Sequence, residues 1–260
     1  MVTFQTYLRS NSKIKDLIMA TTLCFDFGNT RMKCAVFTDG EFVSEQVLEN
    51  DRDETIQALI DQYHPTKSIL SSVIGHNPGM EGVLAAATQF HKLGHLSRLP
   101  VTTPVGKPET IGADRLALVV AATHLFPGMN NLVIGLGSAI TYNYINKYKE
   151  FIGGGISPGM EMRFRSLQAF TAKLPLVKAD WNFPLAGYDT RTNILSGVIL
   201  GMAKEIDGIV EAYEEKYANF NVLLSGGDAA MFTRHLKKRY FTDPYLIYKG
   251  LYVISEYNNP

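Results

Sequence analysis

The sequence has little cysteine and no excess charge of either sign, and each shortage excludes a class of protein. Of the 260 residues only Cys24 and Cys34 are cysteines, and 25 basic side chains balance 25 acidic ones. Two cysteines cannot frame a disulfide scaffold in a chain of this length, so we expect reduced, buried thiols and a cytoplasmic location. A neutral chain lacks the basic excess that nucleic-acid binding uses, so we expect no nucleic acid as a partner.

Long apolar runs are also missing. The longest, residues 116–122, is too short to cross a bilayer, so we expect no membrane partner. Residues 1–20 hold three basic side chains and no apolar core of the kind that a secretory signal needs. With 46% hydrophobic and 19% charged residues, the chain as a whole has a globular composition. We predict an N-terminal extension at residues 1–20 and two domains at residues 21–129 and 130–260.

The order of strand, turn and helix signals indicates an α/β protein with a weak internal repeat. Residues 24–37 and residues 132–145 both read as a strand, a glycine turn and a second strand. Two such halves suggest two similar domains that face a cleft. Among the later elements, the patterns predict helices at residues 81–90 and 229–239 and an extended segment at residues 245–248.

The first motif with chemical content is the glycine turn between the first two predicted strands. It comprises Asp26, Phe27, Gly28, Asn29, Thr30, Arg31, Met32 and Lys33. An aspartate at a strand end can hold a hydrated Mg²⁺, and consecutive N–H groups of a glycine turn can cradle phosphate oxygens. The turn is therefore either a phosphate-binding loop or an ordinary hairpin whose Asp and Asn satisfy the turn geometry.

The second motif is Gly112-Ala113-Asp114-Arg115 at the start of a predicted helix. An ionised Asp114 could accept a proton from a substrate hydroxyl, while Arg115 could bind a carboxylate with two hydrogen bonds. The alternative is an aspartate that only balances the helix dipole.

Three further glycine-rich turns follow, and each alone is weak evidence. They span residues 135–143, 153–159 and 225–228. The second of them leads into a helix, which suits close approach of the backbone to an anionic ligand. The ordinary alternative for each is a connecting loop.

Together and in this order, the motifs resemble those of a type III pantothenate kinase, from the actin-like/Hsp70-like/sugar-kinase superfamily. The resemblance runs from about residue 23 to the end, and its motifs are DFGNTRMK (26–33), SSV (71–73), GADR (112–115), GSAIT (137–141), GGGISPG (153–159), TAKLP (171–175), GYDT (187–190), SGVILG (196–201) and SGGD (225–228). It implies two ribonuclease H-like domains facing an interdomain cleft, and a homodimer. It also implies transfer of the γ-phosphoryl group of ATP to the 4′-hydroxyl of pantothenate, the first step of coenzyme A synthesis.

The resemblance also implies roles for single residues. Residues 26–33 match the ATP-phosphate motif, with Asp26 as the candidate Mg²⁺ residue, and Ser138 stands where the family has a threonine that contacts ATP. Asp114 matches the catalytic base, and the segment Gly112, Ala113, Asp114 and Arg115 matches a substrate-binding segment. Thr190 matches a substrate-contacting threonine near the dimer interface.

Three positions depart from the family's pattern. The family has an aspartate that binds potassium or ammonium where this chain has Gly135, and a second aspartate where it has Asn143. A substrate-contacting tyrosine is replaced by Val105. A hard cation needs oxygen ligands, so Gly135 leaves the expected monovalent-cation site without its side-chain ligand. Two alternatives therefore stay open: a catalytically weak or inactive paralogue that binds nucleotide or pantothenate as a regulator, and a sugar or acyl kinase of the same superfamily.

Overall fold

The computed structural model describes residues 20–104, 106–238 and 240–259. The predicted extension at residues 1–20 therefore lies, apart from its last residue, outside the described residues, as does Val105. In the described part of the chain, no helix is long and apolar enough to cross a membrane.

The first half of the chain forms a five-stranded mixed sheet. Its strands are β1 (Thr21–Phe27), β2 (Met32–Thr38), β3 (Glu41–Leu48), β4 (Lys67–Ser72) and β5 (Gln89–Lys92), in the order β3-β2-β1-β4-β5. The first three strands are antiparallel, and β4 and β5 run parallel to β1. Helices α1 (Asp53–Tyr63) and α2 (Gly79–Ala87) cover one face, where Phe25, Ile56 and Leu84 are fully buried.

The second half repeats this pattern. Its strands are β6 (Asn130–Leu136), β7 (Ala139–Ile145), β8 (Phe151–Pro158), β9 (Phe220–Ser225) and β10 (Phe241–Thr242), in the order β10-β9-β6-β7-β8. Helices α4 (Met160–Ala169), α5 (Thr190–Lys216) and the short α6 (Ala229–Phe232) complete it. A capping box between Asp189 and Thr192 starts α5. The α/β class and the internal repeat are thus confirmed.

Two helices lie between the sheets. They are α3 (Ala113–Leu125) and α7 (Leu246–Asn258), which pack against each other. The helices approach so closely that a Cβ on Gly250 would overlap the Ala117 carbonyl oxygen, so glycine is needed there. Although α7 belongs to the second half by sequence, it contacts β1 and β4, and α3 contacts β6 and β7. The boundary between residues 129 and 130 remains a prediction.

Three local predictions need correction. The predicted helix at 81–90 ends at Ala87, because Thr88 turns to bond Ser68 and the next residues pair with β4 as β5. The predicted helix at 229–239 ends at Phe232, because buried Asp207 accepts the Lys237 N–H and holds that segment in turns.

The predicted extended segment at 245–248 is also wrong, because α7 begins at Leu246 and the strand of this region is β10. The cause is local. Asp243 accepts the N–H of Tyr245, which turns the chain into the helix.

Candidate active site

The glycine turns of the two halves meet across the cleft between the sheets. The first turn joins β1 to β2 and is closed by a hydrogen bond from the Gly28 N–H to the Arg31 carbonyl. The second joins β6 to β7. The hydroxyls of Thr30 and Ser138, one from each turn, are 2.7 Å apart. Two candidate phosphate-binding segments that are 108 residues apart in sequence are therefore neighbours in space.

Asp26 lies at the end of β1, directly opposite Lys33 on β2 and Ser71 on β4. Burial and the neighbouring charge of Asp114 raise the pKa of Asp26 from 3.8 to about 7, although Lys33 opposes the rise. Asp26 and Asp114 are therefore two carboxylates in one poorly solvated region.

Asp114 occupies the first turn of α3, and Gly112 makes the room for it. A Cβ on Gly112 would overlap the Oδ1 atom of Asp114, so a larger residue would displace the carboxylate. Burial raises the pKa of Asp114, and hydrogen bonding from the Arg115 backbone and the charge of Arg115 partly offset this effect. The result is a carboxylate with a higher proton affinity than a surface aspartate, which suits a proton acceptor. The neighbouring Ala113 is buried in the core beneath α3.

Two residues that no sequence motif indicated lie near the first turn: Glu45, which pairs with Lys33, and Tyr248, which lies near Glu45 and Asp26. The Lys33 ammonium is 2.9 Å from a carboxylate oxygen of Glu45 on β3. The Tyr248 side chain on α7 is fully buried, and burial with the nearby charges of Asp26 and Glu45 raises the pKa of its phenol. A lysine on a half-buried strand needs a counter-charge, and that need is the only sequence signal that could have indicated Glu45.

Arg115 points toward the second sheet. Its Nε donates to Asn143 Oδ1 at 2.6 Å, its Nη2 lies 3.4 Å from the Tyr142 carbonyl, and its guanidinium lies over the ring of Phe151. Asn143 is fully buried. The arginine predicted to bind substrate is therefore engaged by one of the positions that depart from the family's pattern.

The remaining glycine motifs shape the second turn. A Cβ on Gly159 would overlap the Gly137 carbonyl, and a Cβ on Gly226 would overlap the carbonyl of Leu136. Gly226 also has a φ of +111°, which favours glycine. Residues 153–159 and 225–228 therefore act first as close-packed supports of the turn. Burial raises the pKa of Asp228, and the charge of Arg31 in the first turn partly offsets the rise.

Not every predicted site residue reaches the cleft. The Phe27 side chain is fully buried in the core under α1 and α2, and Met32 packs against the same core, so both support the turn from behind. Asn29 is exposed in the turn. Thr190 lines a separate pocket of about 590 Å³, which none of the other predicted site residues lines. That pocket lies between α4 and α5 and includes Arg163 and Asn193.

The residues around Asp26 fit a hydrated Mg²⁺ of the kind that accompanies ATP. Among the residues that the structure describes, the Ser71 hydroxyl beside Asp26 is buried and has no hydrogen-bond partner. In the same ranges no cluster of three His, Cys, Asp or Glu side chains could hold a metal alone. Two carboxylates with an unpaired hydroxyl suit Mg²⁺, which keeps several waters and takes its other ligands from substrate phosphates.

Comparison with known proteins gives consistent matches. The family model described as "Type III pantothenate kinase" matches residues 22–212. A type III pantothenate kinase of Cytophaga hutchinsonii is 41% identical over 236 residues, covering 91% of this chain and 99% of the relative.

Solved structures share the fold at lower identity. A conserved putative Baf family transcriptional activator from Campylobacter jejuni has a TM-score of 0.58 at 20% identity, covering 91% of this chain and 98% of its own. A putative 2-dehydro-3-deoxygalactonokinase from Sinorhizobium meliloti has a TM-score of 0.57 at 13% identity, covering 93% and 99%. At these identities the likeness shows the fold alone, and it confirms the predicted architecture of two ribonuclease H-like halves.

Proposed function

The chain belongs to the type III pantothenate kinase family, and on that premise we propose how its residues act. It is a kinase that phosphorylates pantothenate with ATP to 4′-phosphopantothenate, the first step of coenzyme A biosynthesis. The observation that carries the assignment of residues is the contact between the two turns at Thr30 and Ser138, with Asp26 close enough to Asp114 for the charge of Asp114 to raise its pKa. Phosphoryl transfer asks a protein mainly for such positioning and charge stabilisation.

Asp114 is the proposed base. Its carboxylate accepts the proton of the pantothenate 4′-hydroxyl as that oxygen attacks the γ-phosphorus of ATP and the bond to the β-phosphate oxygen breaks. Burial raises the pKa of Asp114, which favours proton acceptance, and the position of Asp114 in the first turn of α3 keeps it at the positive end of the helix dipole.

The two turns are the proposed phosphate cradle. N–H groups of residues 29–31 and the hydroxyls of Thr30 and Ser138 donate to the ATP phosphates, and Lys33 adds positive charge from the strand behind them. Asp26 and the Ser71 hydroxyl would hold hydrated Mg²⁺, which neutralises phosphate charge when it is bound. Residues 112–115 stay the proposed substrate-binding segment.

The decisive variant is Asp114→Asn, compared with the control Asp61→Asn on an exposed position of α1. We expect the control to match the parent protein in a coupled ADP-release assay with ATP and pantothenate. We expect Asp114→Asn to lose about 10²- to 10⁴-fold in kcat, because a positioned general base contributes that much. Nucleotide binding, followed by calorimetry, stays intact. An unaffected rate would refute the base assignment, and no turnover by the parent protein would refute the function.

We also propose that the kinase is a homodimer that pairs through the surface around Thr190. Support comes from large apolar side chains that are exposed on β8, at α4 and in the segment that leads into α5: Ile156, Met162, Phe170, Leu185 and Tyr188. Large exposed apolar surface is typical of an interaction surface. Light scattering after gel filtration should give twice the chain mass for the parent protein, and Phe170→Asp should shift it toward the monomer.

A cytoplasmic location is proposed from the cysteines. Cys24 and Cys34 are free and buried, and they face opposite sides of the first sheet. Their side chains therefore cannot pair in this fold, as expected for a protein of a reducing compartment.

A further inference from the structure

Side chains of this chain occupy the place where the family's pattern has a monovalent-cation site. The position of the expected aspartate is Gly135 on β6, which faces Thr141 on β7. A Cβ built on Gly135 would lie 2.8 Å from the Thr141 hydroxyl and 3.0 Å from a methyl group of Leu118. An apolar side chain and a hydroxyl thus already take up the space into which an aspartate would project.

The oxygens next to this place are committed to hydrogen bonds. Asn143 Nδ2 donates to the Thr141 hydroxyl at 3.1 Å and to the Val133 carbonyl at 3.1 Å. Asn143 Oδ1 accepts from Arg115 Nε at 2.6 Å. Thr141 is 7% exposed and Asn143 is fully buried, so solvent has little access to complete a coordination shell. A hard cation replaces its water with several oxygen ligands, whereas each oxygen described here already accepts a hydrogen bond and none belongs to a carboxylate.

The charges around positions 135 and 143 also disfavour a bound cation. The family's pattern carries two carboxylates at positions 135 and 143, and this chain has none at either. The guanidinium of Arg115 remains and is partly buried against Phe151. A bound cation would place a second positive charge beside Arg115 without the carboxylates that would offset it.

We infer that this chain holds no monovalent cation at the second turn, and that the Arg115–Asn143 pair supplies the fixed positive charge there. Phosphoryl transfer is therefore independent of potassium and ammonium. The statement about turnover rests on the proposed function, whereas the statement about binding does not.

Two readouts test the inference on the full chain. In the first, thermal unfolding is followed in potassium, ammonium, sodium and choline chloride at equal ionic strength. We expect the same Tm in all four salts within about 1 °C, since a ligand that binds only the native state raises Tm progressively as its concentration exceeds its Kd. A concentration-dependent rise in Tm that is specific to potassium or ammonium would overturn the inference.

In the second, ADP release with ATP and pantothenate is compared in potassium and choline chloride. We expect rates within about twofold, and a drop of about tenfold or more in choline that potassium restores would overturn the inference. If no salt supports turnover, the proposed function fails, and the unfolding measurement still decides whether a cation binds.

A gain-of-binding variant tests whether positions 135 and 143 are the cause. Gly135→Asp with Asn143→Asp restores both carboxylates, and Thr141→Ala removes the hydroxyl that the new Cβ would meet. We expect this triple variant to gain a potassium-specific rise in Tm that Asn143→Asp with Thr141→Ala lacks. A folded triple variant without that rise would overturn the assignment of the loss to these positions.

Discussion

The sharpest quantitative prediction concerns Asp26, whose burial should cost stability at neutral pH. Burial and the neighbouring Asp114 raise the pKa of Asp26 from 3.8 to about 7. The folded chain therefore keeps a proton on Asp26 through a pH range in which the unfolded chain has lost it. Because the native state binds more protons, the free energy of unfolding falls as pH rises through that range.

The magnitude follows from the two pKa values. A rise in pKa from 3.8 to about 7 corresponds to on the order of 4 kcal/mol, since each pKa unit is worth about 1.36 kcal/mol. Below the lower value both states are protonated and the cost is zero, and above the upper value it is complete. Asp26→Asn removes the ionisable group while keeping its size. Its advantage in unfolding free energy over the parent protein should therefore grow with pH by up to about 4 kcal/mol.

Urea unfolding of the parent protein and Asp26→Asn, in buffers without Mg²⁺ from about pH 4 to about pH 8, measures this difference. Asp61→Asn removes the same charge from an exposed site and should follow the parent protein at every pH. Parallel stability curves for the parent protein and Asp26→Asn would refute the reasoning. The two carboxylates would then not be buried together as described.

Three further predictions test single contacts. Gly112→Ala should lower kcat by about 10²-fold with little change in stability, since the new Cβ displaces the Asp114 carboxylate. Steady-state kinetics measures the change in kcat, and Tm measures the change in stability. Ser138→Ala removes the hydroxyl that meets the first turn and should raise KM for ATP about threefold to tenfold, with kcat less affected. Gly250→Ala should destabilise the protein by about 1–3 kcal/mol through overlap with the Ala117 carbonyl, as measured by urea unfolding.

The strands were predictable from the sequence where local pattern alone decides them. Both glycine turns and their flanking strands were found because each hairpin is specified by adjacent residues. β5 was missed, since its residues become a strand only by pairing with β4. The helix predicted at 229–239 failed for a similar reason, because Asp207, far away in sequence, sets the backbone there. Tertiary contacts override local propensity in both cases.

The sequence predicted those site residues that lie in recognisable motifs. The family resemblance predicted Asp26 and Asp114 in one site, and in the structure they lie close enough for the charge of Asp114 to raise the pKa of Asp26. Glu45 and Tyr248 could not be predicted, because the pairing of Glu45 with Lys33 depends on strand register and the approach of Tyr248 to Glu45 depends on the path of α7. The hydrogen bond between Arg115 and Asn143 could not be predicted from the sequence either, since it joins a helix to a strand of the other half.

The packing of α7 against the first sheet has a consequence for how the protein is made. Lys67 on β4 forms an ion pair with Glu256, 189 residues later in the chain. The face of the first sheet that holds Asp26 is therefore covered only in part, by α3, until α7 has been synthesised. The first sheet can form early with α1 and α2, but its second core closes only when α7 arrives. Contacts of such long sequence separation fold slowly, so the catalytic face is among the last parts of the molecule to be completed.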